Sequence, residues 1–151
     1  MLIHYFGSKE QLIGEVMAEI QVELQSAFAA LTTDLPPNHH DHLLKEFWKI
    51  LSDKKNLPSL RLLFEVQMLA LQNPKRYRRY VTESSASWRR LIEHALPGHT
   101  GMAAPATFYN AVIDGLLLEL LSTGDKRRTT AALGDLIGCV QPPSLSKRKR
   151  H

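Results

Sequence analysis

An all-α fold of about six helices is predicted from three observations. Apolar residues recur in steps of one, three or four along one segment after another. Prolines and glycines stand between those segments: Pro36–Pro37, Pro58, Pro74, Pro97–Gly98, Pro105, Gly124 and Pro142–Pro143. No strand alternation competes in the longest apolar run.

The first helix is expected from Lys9 to about Thr32. Leu12, Ile13, Val16, Met17, Ile20, Leu24, Ala27, Phe28 and Leu31 form one stripe of a long amphipathic helix. Glu15, Glu19 and Glu23 form an acidic row on another face, and Pro36–Pro37 cannot continue the helix. Asn38, His39, His40, Asp41 and His42 come next. Imidazole and carboxylate are metal ligands, but the spacing offers no second pair, and the segment reads as a cap with Asp41 or Asn38 at the N-cap. Leu43, Leu44, Phe47, Trp48 and Leu51 give a second helix ending near Lys54–Asn56. Pro58 suits the first position of a third, which is apolar on more than one face from Leu60 to Leu71 and is therefore expected at the centre of the fold.

Asn73–Pro74 stops the third helix, and Lys75, Arg76, Arg78 and Arg79 open the fourth. Tyr77, Tyr80, Val81, Ser84, Trp88, Leu91, Ile92 and Ala95 make its inward stripe, with the basic residues on a solvated face. A fifth helix runs from Pro105 through Phe108, Tyr109, Val112, Ile113 and Leu116–Leu121 to a C-cap at Gly124. Leu116, Leu117 and Leu118 point about 100° apart, so burial on two sides is expected, one of them against a partner subunit. Asp125 caps the sixth helix, where Ala131, Ala132, Gly134 and Gly138 permit close helix approach. Residues 141–151 form a basic tail.

Composition excludes several classes. The 151 residues, 44% hydrophobic and 23% charged, suit one domain with a core. The net charge of +4 is set by Lys147, Arg148, Lys149 and Arg150; without them 15 bases face 15 acids. The body is formally neutral, so the basic pI is mostly a tail effect and is not evidence for a basic nucleic-acid face. No apolar run approaches about 18 residues, so no membrane span is expected. No secretory signal opens the chain, and a cytoplasmic location is expected. Cys139, the single cysteine, lies in an apolar helix without a nearby base and reads as a buried, inert thiol. No phosphate loop or paired metal motif is present, so no enzyme, no catalytic residue, no cofactor and no metal site is assigned.

The N-terminal stretch carries the most specific pattern. Tyr5 and Phe6 precede Gly7, and Ser8 with Gln11 three residues on is a capping-box pattern. Lys9 stands in a first turn that favours acids. This stretch resembles the end of the DNA-binding unit of TetR-family transcriptional regulators, where the recognition helix runs into aromatic, aromatic, Phe, any, Ser, Lys, Glu, any, Leu. Tyr5, Phe6, Ser8, Lys9, Glu10 and Leu12 match, His4 stands at a variable aromatic position, and Ile3 replaces a frequent phosphate-contacting Tyr. The resemblance implies DNA contact by His4, Tyr5 and Lys9. Residues 1–8 would be a remnant of the helix-turn-helix, whose readout needs two helices. DNA binding is thus expected only of an N-terminally complete form.

Residues 9–140 are, on the same resemblance, a TetR-type ligand-binding and dimerisation domain. Phe108–Leu121 with Asp125 and the sixth helix resembles the helix pair that forms the family's four-helix dimer bundle. Homodimer contacts are assigned to Leu117, Leu118, Leu121, Leu133 and Ile137. A small apolar or amphipathic effector is assigned to a pocket of Phe47, Trp48, Leu51, Phe64, Met68, Trp88 and Tyr109. The alternative is a helical dimerisation module without DNA binding.

Overall fold

The computed structural model describes residues 8–33, 39–96 and 103–140. The described residues form six helices and no strand: α1 (Lys9–Thr33), α2 (His40–Leu51), α3 (Leu57–Gln72), α4 (Pro74–Ala95), α5 (Pro105–Thr123) and α6 (Lys126–Val140). The expected motif residues Ile3, His4, Tyr5, Phe6 and Gly7, the Asn38 cap and the basic tail lie outside the described residues.

Local chemistry explains most of the boundaries. Ser8 Oγ accepts from the Gln11 backbone N–H at 3.1 Å, so half of the capping box forms. The Gln11 side chain turns forward to Glu15 rather than back to Ser8. α2 begins after His39, with no side-chain cap. Asp41 lies inside the first turn, where its charge favours the helix dipole, rather than at the N-cap. α2 stops at Leu51, the last residue of its apolar pattern and short of the expected end near Lys54–Asn56, where Asn56 Nδ2 donates to the Ile50 carbonyl at 2.7 Å and closes the turn. Pro58 and Pro105 sit in the first turns of α3 and α5, where a missing N–H costs nothing. Gly124 ends α5 with φ of 72°, and its N–H donates to the Leu120 carbonyl. A side chain there would meet the left-handed conformation that L residues avoid. Asp125 Oδ1 accepts from the Arg128 N–H at 2.9 Å and caps α6.

α4 packs against α1, α3 and α5; α5 packs in turn against α3 and α6; α2 bridges α1 and α6. The core is joined by an aromatic trio. The Phe28 and Phe47 rings lie 4.8 Å apart edge to face, and Trp88 lies 5.8 Å from Phe47. One ring each from α1, α2 and α4 therefore meets at one point, each burying a large apolar area.

α3 is not the central helix its apolar count suggests. Leu71 is 72% exposed and Met68 48%, while Leu60, Val66 and Ala70 face inward. α5 is the more deeply packed of the two, burying Ala106, Tyr109, Leu117 and Leu120. α6 buries Thr129, Leu133 and Ile137, spaced at one helical turn, and leaves Cys139 exposed. The expectation of a buried thiol thus fails, because Cys139 lies on the side of α6 turned away from the core. Gly134 and Gly138 lie on that open side too, with no atom near enough to touch an added Cβ.

Candidate functional site

A cavity of about 210 Å³ lies between α1, α2, α3, α4 and α5. Its apolar lining includes Phe28, Phe47 and Trp88 of the aromatic trio, Leu60, Leu63 and Phe64 of α3, and Ile113 and Leu117 of α5. An apolar cavity of about 150 Å³ admits benzene, so this one has room for a larger aromatic body.

The cavity also has a polar part. Gln21 of α1, Tyr80 and Ser84 of α4, and Asn110 and Asp114 of α5 all line it. The indole N–H of Trp88 donates to Gln21 Oε1, which orients the ring. Asn110 Nδ2 donates to Asp114 Oδ2 at 3.1 Å, one turn apart on α5. The Tyr80 hydroxyl is buried without a hydrogen bond of good geometry. Burial raises its pKa, against the opposing influence of neighbouring Gln21 and Ser84. Burial likewise raises Tyr109.

Asp114 is the lining residue with a carboxyl group, and among the described lining residues there is no Lys, Arg or His. Burial alone pushes its pKa from 3.8 to about 6. Among the described lining residues, no cationic neighbour draws the value back down.

Five of the assigned pocket residues meet here: Phe47, Leu51, Phe64, Trp88 and Tyr109. Two do not. Trp48 faces the opposite side of α2, where its Nε1 donates to Thr130 Oγ1 of α6 at 2.8 Å. Trp48 is one residue, hence about 100°, from Phe47, so the two rings serve different contacts. Met68 points to solvent from the outer face of α3. Phe28, Gln21, Asn110 and Asp114 were missed. The signal available for the last two was an Asn and an Asp four residues apart within an otherwise apolar helix.

The assigned dimer residues divide in the same manner. Leu117 lines the cavity, and Leu133 and Ile137 belong to the chain's own core. These three are buried by intramolecular packing and cannot face a partner. Leu121 is partly buried, and Leu118 is 51% exposed. Phe108, Ala111, Gly115, Leu118 and Ser122 are exposed at alternating three- and four-residue steps on α5. Ala131, Gly134 and Gly138 are exposed at similar steps on α6. Lys9 is exposed at the start of α1.

No three histidine, cysteine or acidic side chains gather as a metal-binding group among the described residues. No described helix is long and apolar enough to cross a membrane. No family model, curated protein or solved structure matches the chain.

Proposed function

We propose that this chain is the effector-binding, dimerising part of a TetR-like transcriptional regulator. The observation that carries the reading is the aromatic-lined cavity, enclosed by helices that follow the Ser8–Leu12 motif. Such a cavity, apolar with a few convergent polar groups, is the usual form of a small-molecule site. A bound effector regulates only if it favours one arrangement of the helices over another. α1 is suited to transmit that difference, because it both lines the cavity through Gln21, Leu24 and Phe28 and begins at the Ser8 cap. Arg76 Nη1 at the start of α4 also pairs with Glu10 Oε1 at 3.0 Å, tying the two helix starts together.

The test is a thermal-shift screen with flat, amphipathic aromatic compounds. Several should raise the melting temperature, and Trp88→Ala should weaken their effect. Trp48→Ala, which removes a ring outside the cavity, should leave the ligand-induced increment in place. A screen without a stabiliser, or stabilisers indifferent to Trp88, would defeat the reading.

Dimerisation is the second part of the proposal. The exposed stripe Phe108, Ala111, Gly115, Leu118 and Ser122, with the small residues of α6 beside it, suits close packing against a two-fold copy. Light scattering should give twice 17.1 kDa at micromolar concentration. Leu118→Glu should return the mass to one chain, because burying a leucine contributes about 1.5–3 kcal/mol and a buried unpaired charge opposes association. A folded monomer before substitution, or a dimer indifferent to Leu118→Glu, would refute this face.

A further inference from the structure

The charged groups lining the cavity bear on the charge of its effector, an inference that rests on the pocket reading above. Every other acid and every base of the surrounding helices stays outside. Lys9, Glu10, Glu15, Glu19 and Glu23 of α1, Arg61 and Glu65 of α3, and the arginines, Glu83, Glu93 and His94 of α4 do not line the cavity, nor do the charged residues of α2 and α6. The titratable groups that do enter are Tyr80, Tyr109 and Asp114. One carboxyl group therefore shares the cavity with aromatic rings, and no cation among the described lining residues balances it.

We infer that the cavity binds an aromatic ligand carrying a protonated amine, with the ring among Phe28, Phe47, Phe64 and Trp88 and the ammonium group at Asp114. Each half of the ligand matches a different part of the lining. The fused ring system replaces water against apolar side chains. The ammonium group supplies the missing counter-charge, and a charge-assisted hydrogen bond to a carboxylate is about twice as strong as a neutral one. An anion would meet like charge from Asp114 without a compensating base. A neutral ligand would leave the part-buried carboxylate with the Asn110 amide but without a counter-charge, which is costly.

The cavity's size limits the ring system. At about 210 Å³ it exceeds a benzene-sized site and suits two fused rings. Proton linkage adds a signature: a cation favours the ionised carboxylate, so binding should weaken as pH falls through about 6. Tyr80 and Tyr109 are both shifted upward and stay neutral across that range.

Three probes of one shape separate the possibilities: 1-naphthylmethylamine, 1-naphthalenemethanol and 1-naphthoate. Their affinities are measured by calorimetric titration at pH 7.5 and pH 5, with the unaltered chain and with Asp114→Asn. The amine should bind about tenfold tighter than the alcohol at pH 7.5. That advantage should vanish at pH 5 and in Asp114→Asn, while the alcohol's affinity stays level or improves. Asn keeps the shape of the side chain, and unchanged far-ultraviolet circular dichroism checks the fold. If the alcohol or the naphthoate binds as well as the amine, the charge assignment is overturned and the pocket reading stands. If none of the three binds, and Trp88→Ala alters no stabiliser in the broader screen, the pocket reading falls and takes this inference with it.

Discussion

Trp48→Ala is expected to cost about 3–5 kcal/mol of unfolding free energy, the range for truncating a buried aromatic side chain. Trp48 is 2% exposed and is the largest fully buried side chain among the described residues. Its ring sits where α2 meets α6, and its Nε1 donates to Thr130. Lys126 Nζ donates to the Ser52 carbonyl along the same junction, at 3.0 Å. Removing the indole leaves a void that two helices must close and ends the longer-range of these two bonds. Domains are stable by about 5–15 kcal/mol, so the loss is a large fraction of the total. Urea titration followed by circular dichroism should show a much lower midpoint with a similar slope. Trp48→Phe separates the components: it keeps most of the packing and loses the hydrogen bond, so a loss of about 1–2 kcal/mol is expected. If Trp48→Ala costs less than Trp48→Phe, or both cost nothing, α6 does not pack on α2 through this ring.

The helices themselves were legible in the sequence because their signals are local. The α1 stripe, the Ser8 and Asp125 caps, the prolines at the starts of α3 and α5 and the glycine after α5 each act within a turn or two of chain. Packing partners were less legible. Trp48 and Phe47 are adjacent, equally apolar and equally buried, yet one faces α6 and the other the cavity. Nothing in a periodic pattern distinguishes two apolar sides of one helix. α3 misled for a related reason: Met68, Leu69 and Leu71 are apolar but exposed, and an apolar residue on a surface costs little.

The candidate site was half legible. Aromatic side chains in the middle helices pointed to a pocket, and Phe47, Phe64, Trp88 and Tyr109 line it together with Leu51. Its polar part was not anticipated, since Gln21 of α1, Tyr80 and Ser84 of α4, and the Asn110–Asp114 pair of α5 converge only through packing. α5 has a buried and an exposed side, and Leu117, assigned to a partner contact, lies on the buried one. That residue faces the cavity, while its neighbour Leu118 faces outward.

Asp114→Asn is expected to stabilise the ligand-free chain at neutral pH and to leave it nearly unchanged near pH 4. Burial raises the folded-state pKa of Asp114 from 3.8 to about 6, with no other cause contributing. A raised carboxyl pKa means the folded chain binds its proton more tightly than the unfolded chain. The unfolded carboxyl ionises first as pH rises, near its ordinary value of about 3.9. Stability therefore falls as pH rises from about 4 through about 6, and is level above that range. At about 1.4 kcal/mol per pKa unit, the ionised carboxylate costs at most about 3 kcal/mol at pH 7. Asn at this position keeps an acceptor for Asn110 Nδ2 and carries no charge, so that cost disappears. Urea unfolding of both chains at pH 4, 5, 6, 7 and 8 isolates the effect, because all other groups cancel in the difference. The gain from Asp114→Asn should be small at pH 4, grow to pH 6 and then hold steady. A carboxylate balanced by a hidden cation would give the opposite sign, with Asp114→Asn destabilising at pH 7. That outcome would also remove the unbalanced charge on which recognition of an amine depends.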